Sequence, residues 1–309
     1  MVARHFDIQP ISLIPMLTIR NISEIHLAWW LIVALVVINT LGLIYTGITL
    51  KVDASHISGI VVFMIFCLGM AWLYKTKRPE PRLTLLALFS AQLFAYSLAA
   101  GILSYLIAAA SGQPTIDAWL VAADQAIGLD WLTMFRWEQE HALWHAILTL
   151  AYTSVLPQLI LMPFFLLTKR RFARVREMFW LYVATSLGAI IVSAFFPAEG
   201  AFATFKVSMQ DPYVQEFLAL HNGSLRVIDM NKIQGIVQFP SFHLELAVIL
   251  AYAARGIPIL FPFLLALNTL VIAATPSIGG HHFADLWGGG LLCLSIIALV
   301  RWLDSRAVA

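Results

Sequence analysis

Long apolar runs, repeated along the whole chain, constrain this sequence more than any other feature. Of its 309 residues, 61% are hydrophobic and only 12% are charged, whereas a soluble domain has about 45–50% apolar and about 25% charged residues. A water-soluble fold of this length could not cover so much apolar surface. Lipid can solvate it instead, because a bilayer core accepts helices of about 20 apolar residues. The sequence therefore predicts an integral membrane protein that crosses the bilayer several times.

The apolar runs are continuous rather than alternating, which favours helices over a β-barrel. The predicted fold class is all-α, a polytopic membrane helix bundle with about eight transmembrane helices. The predicted spans are residues 27–50, 57–74, 84–110, 143–167, 177–196, 240–255, 257–274 and 283–302. We expect residues 1–82 to form an N-terminal tail with two additional helices, and residues 83–309 to form a six-helix core.

Basic residues predict the orientation of the bundle. Eight spans place both termini on one side, and 14 of the 19 lysines and arginines fall on that side. Because cytoplasmic loops carry the excess of lysine and arginine, we expect both termini in the cytoplasm. The two long loops, residues 111–142 and 197–239, are then extracytoplasmic, that is periplasmic or lumenal. The net charge of only +2 gives no indication of nucleic-acid binding.

Two short segments carry residues suited to catalysis. The first, residues 238–243, reads Gln-Phe-Pro-Ser-Phe-His and enters the sixth span. The second, residues 275–285, reads Thr-Pro-Ser-Ile-Gly-Gly-His-His-Phe-Ala-Asp and enters the eighth span. The chain crosses the membrane twice between them and returns to the same side. We therefore expect His243 and His281 to lie on the same, outer, face.

The spacing of three residues predicts their chemistry. His281 and Asp285 lie four residues apart and share one face of a helix. A carboxylate beside an imidazole fixes its tautomer and raises its basicity, which suits a nucleophile. His243 can donate a proton to the leaving oxygen. His243, His281 and Asp285 are thus the predicted catalytic group for phosphoryl transfer through a phosphohistidine, with no metal or cofactor. The alternative is that both histidines are packing residues at helix ends.

Further residues are candidates for substrate binding. Both segments open helices, whose free N–H groups favour an anion such as phosphate, and Ser241 and Gly280 allow close backbone approach. Arg226 and Lys232 are candidate phosphate-binding cations, with Arg226 favoured for its planar fork; solvated loop charge is the alternative. Glu245 lies in an apolar run and is a candidate for acceptor binding, for pairing with Arg226 or for cavity lining.

The segments Phe239–His243 and Gly280–Asp285 resemble two signature motifs of the type 2 phosphatidic acid phosphatase superfamily, a Pro-Ser-x-His segment and a His-x-x-x-Asp segment. Their form is most similar to the branch that contains fungal inositol phosphorylceramide synthase and the sphingomyelin synthases. The resemblance covers roughly residues 84–302. Two departures are visible: the Lys-x6-Arg-Pro motif is absent, and Thr275 stands where an arginine normally precedes the nucleophile.

The resemblance implies a function and a role for each motif residue. His281 matches the nucleophile, Asp285 its partner, and His243 the proton donor to the leaving group. Water as acceptor gives a phosphatase acting on lipid phosphates or prenyl pyrophosphates. A lipid or polyol alcohol as acceptor gives a phosphotransferase, which the branch favours. A transporter or flippase without catalysis is the alternative of another class, although the chain shows no paired broken helices or repeat symmetry.

Labelling a single cysteine tests the predicted orientation. We expect Asp229→Cys, in a chain with Cys67 and Cys293 replaced by alanine, to react with an impermeant maleimide added to intact cells. The reason is that the loop 197–239 is predicted to be extracytoplasmic. Labelling that occurs only after the cells are permeabilised would show that the orientation is the opposite of the predicted one.

Overall fold

The computed structural model describes the backbone of residues 19–306 and the side chains of residues 24–303 and 306. The N-terminal tail predicted from the sequence lies mostly outside this range. In chain order the elements are α1 (Ile19–Thr46), β1 (Thr49–Lys51), α2 (Ala54–Thr76), α3 (Pro81–Ala110), α4 (Asp117–Ala126), α5 (Trp131–Glu140), α6 (Ala142–Thr153), α7 (Val155–Thr168), α8 (Phe172–Phe195), α9 (Ala201–Thr204), α10 (Pro212–His221), β2 (Val227–Asp229), α11 (Phe242–Ala253), α12 (Leu260–Ile278) and α13 (Phe283–Arg306).

The prediction of an all-helical membrane bundle is confirmed. In the described part of the chain, six helices are long and apolar enough to cross a membrane, namely α1, α2, α3, α8, α12 and α13. The pair α6 and α7, which meets at a bend of 47°, makes a seventh crossing if it is counted as one span. The bundle therefore accounts for most of the predicted spans.

The predicted span at residues 240–255 has a different form, the short helix α11. Its 12 residues reach about 18 Å at 1.5 Å per residue, whereas the hydrocarbon core is about 30 Å thick. The helix starts after Ser241 and stops before Gly256, whose φ of +69° takes the backbone out of the right-handed helix. An apolar run thus predicts a membrane location more reliably than it predicts one full-length span.

The short helix α11 lies at the centre of the bundle, against α7, α8, α12 and α13. Its residues Ala247, Ile249 and Leu250 have no exposed surface. The middle of α11 is therefore surrounded by the protein rather than by lipid. The longer helices α3 and α8 are joined beside it, because the hydroxyl of Tyr96 lies 2.6 Å from that of Ser186.

The two long loops cover the end of the bundle at which α13 starts. Helix α4 packs on α13 and helix α5 packs on α12. The strands β1 and β2 pair in parallel, with Thr49 opposite Val227, and form a two-stranded ribbon. The amide of Asn231 donates to Asp53 across this ribbon. The ribbon thus fastens the α1–α2 connection to the second long loop, residues 197–239.

Ion pairs join the helices at the opposite end of the bundle. Arg176 near the start of α8 binds Glu24 of α1 at 3.1 Å. Arg255, just after α11, binds Glu177 of α8 at 2.7 Å. The start of α1, the α7–α8 connection and the α11–α12 connection therefore share one face, which lies opposite the histidine segments.

Shortening a fully buried side chain of α11 tests the central position of this helix. We expect Leu250→Ala to cost about 2–5 kcal/mol of stability, because the cavity removes contacts with the surrounding helices. Leu291→Ala is the control, since Leu291 is 69% exposed and faces outwards. Thermal unfolding in one detergent measures both; equal losses would show that α11 is not the packed centre.

Candidate active site

The start of α11 and the segment before α13 bring two histidines together. The ring centroids of His243 and His281 lie 6.2 Å apart, with their planes at 65°. The α11–α12 hairpin returns the chain to the same end of the bundle, as its sequence position requires. His281 is only 3% exposed, while His243 is half-buried. Both rings are close enough to contact one phosphoryl group.

An aspartate on the first turn of α13 orients His281. Nδ1 of His281 lies 3.2 Å from Oδ2 of Asp285, and Asp285 has no exposed surface. Because the carboxylate accepts, Nδ1 holds the ring proton and Nε2 keeps its lone pair. Burial, together with the charge of His282, lowers the pKa of His281 to about 3. His281 is therefore neutral at physiological pH, as a nitrogen nucleophile must be.

The backbone before His281 is held by two side chains. Gly280 has a φ of +67°, and a Cβ there would lie 2.6 Å from the ring of Phe202, so only glycine fits. The amide of Gln238 donates to the Gly280 carbonyl at 2.7 Å. The indole of Trp131 donates to the His281 carbonyl at 2.9 Å. These two hydrogen bonds, from two separate segments, fix the backbone that carries the His281 side chain.

Tyr152 of α6 holds the second histidine. Its ring stacks on His243 with centroids 4.3 Å apart, and its hydroxyl lies 3.2 Å from Nδ1 of His243. A hydroxyl both donates and accepts, so this hydrogen bond persists whether His243 is neutral or charged. Nε2 of His243 is then the nitrogen available for proton transfer with substrate.

Two aspartates of α4, which the sequence analysis did not assign to the site, surround His282. Nε2 of His282 lies 3.3 Å from Oδ1 of Asp117, and Nδ1 lies 3.9 Å from Oδ2 of Asp124. Burial opposes ionisation of Asp117, but hydrogen bonds from His282 and from the N–H groups of Glu199 and Gly200 outweigh it and lower its pKa. The sequence signal that could have identified Asp117 and Asp124 is their spacing, because two carboxylates seven residues apart share one helix face.

The start of α13 is occupied by a carboxylate, which differs from the prediction of two open helix starts. Asp124 accepts hydrogen bonds from the N–H groups of Phe283 at 3.0 Å and Ala284 at 2.7 Å. The anion expected at this helix start is therefore supplied by the protein itself. Ser241, the N-cap of α11, makes no side-chain cap hydrogen bond, so of these two helix starts α11 is the one without a side-chain cap.

The structure separates the predicted binding residues. Ser241 is fully buried between the two histidine segments, and its N–H donates to the carbonyl of Asp285. Arg226 and Lys232 are exposed beside the ribbon, and the Arg226 guanidinium donates to the carbonyl that ends α1. Glu245 is wholly buried in α11. Within the described residues it forms no ion pair with Arg226, because α11 is central and the ribbon is peripheral.

Tyr213, on the first turn of α10, is a further polar residue that the sequence analysis missed. Its buried hydroxyl makes no hydrogen bond to any described residue. Burial, and then the charges of Asp285 and Asp117, raise its pKa well above the usual value. The phenol therefore stays protonated, and it lies close enough to Asp285 to respond to its charge. Nothing in the local sequence distinguishes Tyr213 from a packing tyrosine.

The described side chains include no group of three or more His, Cys, Asp or Glu residues arranged to hold a metal ion. His145 of α6 instead forms a pair with Glu138 of α5 at 2.5 Å. This pair belongs to the α5–α6 connection, whereas His243 and His281 face each other at the starts of α11 and α13.

This helical membrane bundle places two histidines and a carboxylate at two helix starts. These are groups that a membrane phosphoesterase could use for catalysis. The PAP2 superfamily profile matches residues 118–299, more than half of the chain and both histidine segments. The chain belongs to the PAP2 superfamily, and this membership supports a phosphatase-type lipid phosphoesterase in a membrane. Neither a curated protein nor a solved structure matches the chain.

The charge of His282 gives a pH-dependent prediction. Burial opposes its charged form, but the hydrogen bond to Asp117 and the nearby carboxylates outweigh burial and raise its pKa above the usual value of 6.5. A raised folded-state pKa contributes stability that is complete below about pH 6.5 and is lost as pH rises through the raised value. We expect Tm in detergent to fall on that alkaline side. His282→Gln should show a smaller fall, and equal falls would contradict the charged pair.

Proposed function

We propose that this protein is a membrane enzyme that transfers a phosphate or phospho-headgroup through a phosphohistidine on His281. The observation that carries the proposal is the neutral His281 ring, bonded to Asp285 at 3.2 Å and 6.2 Å from the ring of His243. A nucleophile, its orienting carboxylate and a proton donor are the groups that a two-step phosphoryl transfer requires.

The two steps balance with these three residues alone. Nε2 of His281 attacks phosphorus, the bond from phosphorus to the lipid oxygen breaks, and the leaving alkoxide takes a proton from His243, which enters this step as the imidazolium and leaves it neutral. In the second step His243 removes a proton from water or from an alcohol, whose oxygen attacks phosphorus. The phosphorus–nitrogen bond then breaks and returns neutral His281. Asp285 keeps the Nδ1–H direction fixed throughout.

The charges around the site favour a phosphodiester substrate, and hence headgroup transfer to a lipid or polyol alcohol as in an inositol phosphorylceramide synthase. Three carboxylates, Asp117, Asp124 and Asp285, lie beside His282, while Arg226 and Lys232 lie at the ribbon. A phosphomonoester brings a charge of about −1.5 to −2, but a diester brings only one. Hydrolysis of a lipid phosphate or prenyl pyrophosphate is the second candidate, supported by superfamily membership.

Neutral hydrogen-bond donors take the place of the missing arginine in this proposal. The uncapped N–H groups at the start of α11 favour an anion through their partial charges. The unpartnered hydroxyl of Tyr213 can add a further donor. Ser241 and Gly280 keep the backbone close to the phosphate, and Arg226 and Lys232 act only through long-range attraction at the approach.

We also propose that the site faces the extracytoplasmic side, with both termini in the cytoplasm and residues 83–309 as the six-helix catalytic core. The support is the excess of lysine and arginine on the face opposite the histidines. The substrate headgroup would reach the histidines from the outer leaflet, while its chains stay among the lipid-facing helices.

Product analysis with matched histidine variants tests the mechanism. Wild type should convert a phospholipid and added ceramide into a new phospholipid and diacylglycerol, and should convert a phospholipid and added inositol or glycerol into a water-soluble phosphodiester and diacylglycerol, all detected by mass spectrometry. We expect no turnover by His281→Asn and a roughly 10²–10⁴-fold loss in His243→Asn, which removes proton transfer. His145→Asn is the control, because His145 pairs with Glu138 away from both rings.

The same assay separates the two candidate reactions. Free phosphate from a lipid monophosphate, without a new phospholipid, would establish the phosphatase. Turnover that survives in His281→Asn would exclude the phosphohistidine, whichever product forms.

A further inference from the structure

A groove opens on the face opposite the histidines, where α1, α3, α7 and α8 meet. Its cavity volume is about 80 Å³, not counting the space beyond its open mouth. Its walls are mostly apolar. They include Ala28, Leu85, Leu88, Phe89, Val175 and Phe179. Because α1, α3 and α8 are candidate membrane spans, the groove opens among membrane-spanning helices, and a hydrocarbon chain suits its walls.

The rim of the groove is polar. The ion pair between Arg176 and Glu24, at 3.1 Å, lies in its lining. Gln92 also lines it and donates from its amide to the carbonyl of Ile25 at 2.9 Å. An apolar wall with a charged pair near its end matches a molecule with a hydrocarbon chain and a polar headgroup.

A run of exposed basic residues adjoins this rim. Lys169, Arg170 and Arg171 connect α7 to α8 and are all exposed. They directly precede Phe172, which lines the groove. Two described acidic side chains on this face are already paired, Glu177 with Arg255 and Glu24 with Arg176. The mouth of the groove therefore carries an excess of positive charge.

We infer that this groove is a binding site for an anionic phospholipid of the leaflet opposite the active site. One acyl chain lies between α1, α3 and α8, and the phosphate contacts the basic turn 169–171. Charge selects the occupant: a polybasic turn at the membrane surface attracts anionic headgroups, whereas a zwitterionic lipid would use only the apolar wall. The bound lipid would fasten α1 to the core helices. This inference does not depend on the reaction at His281.

Lipid titration of purified protein tests the site without any activity assay. Delipidated protein in detergent is titrated with dioleoyl phosphatidylglycerol or dioleoyl phosphatidylcholine, and bound lipids are counted by native mass spectrometry. Each basic residue near the surface contributes roughly a fivefold gain in affinity for an anionic lipid. We therefore expect the wild type to bind phosphatidylglycerol at least about tenfold more tightly. The double variant Arg170→Gln/Arg171→Gln should lose most of that preference.

Two further variants separate charge from cavity. Lys75→Gln/Lys77→Gln removes two charges at the end of α2, outside the groove lining, and should leave the preference unchanged. Leu88→Trp fills the groove and should weaken binding of both lipids. Equal affinity of the wild type for the two lipids would overturn the inference, as would equal behaviour of the two charge variants. Since all four charges are on exposed residues, these variants keep the packed interior intact.

Discussion

The site depends on one close contact, between the start of the short helix α11 and the first turns of α13. The N–H of Ser241 donates to the carbonyl of Asp285 at 3.0 Å, and this bond joins the two segments that carry the histidines. The approach requires a glycine on α13, because a Cβ at Gly289 would lie 2.4 Å from the Ser241 carbonyl oxygen. As α11 is too short to cross the membrane, the contact lies inside the protein. His243 and His281 meet there because of this packing.

Electrostatics around this contact follow from burial. Charged groups inside a protein persist when they are paired and hydrogen-bonded, and each carboxylate here has such partners. Asp124 caps α13, Asp117 binds the loop after α8 as well as His282, and Asp285 binds His281. The carboxylates thus serve the scaffold while orienting the imidazoles. Among the described residues, the ion-pair partners of these carboxylates are histidines.

The sequence predicts the framework well because lipid imposes a simple rule, which is that apolar runs become helices. It also predicts the meeting of His243 and His281, since that needs only the number of crossings between them. The bend between α6 and α7 was missed, although Pro157 lies in that run and cannot donate its backbone nitrogen to the preceding turn. Residues 143–167 therefore form two helices rather than one.

The remaining features depend on contacts between distant parts of the chain, which no periodic pattern records. Asp117 and Asp124 reach His282 across more than 150 residues of sequence, and Tyr213 approaches Asp285 only through the packing of the second long loop. Arg226 lies in the loop that precedes His243, but the pairing of β1 with β2 holds it at the ribbon. The charged residues of a loop are therefore candidates for substrate binding, and the fold determines which of them reach the site.

The central claim is that His281 becomes covalently bonded to phosphorus during turnover. The most direct measurement is to quench the enzyme with alkali while it processes a phosphorus-labelled substrate and to map the labelled peptide by mass spectrometry, because a phosphorus–nitrogen bond survives base better than acid. The account predicts label on His281, increased in His243→Asn if the second step is slowed more than the first, and absent in His281→Asn. Turnover with no label on His281, or with label on another residue, would contradict it.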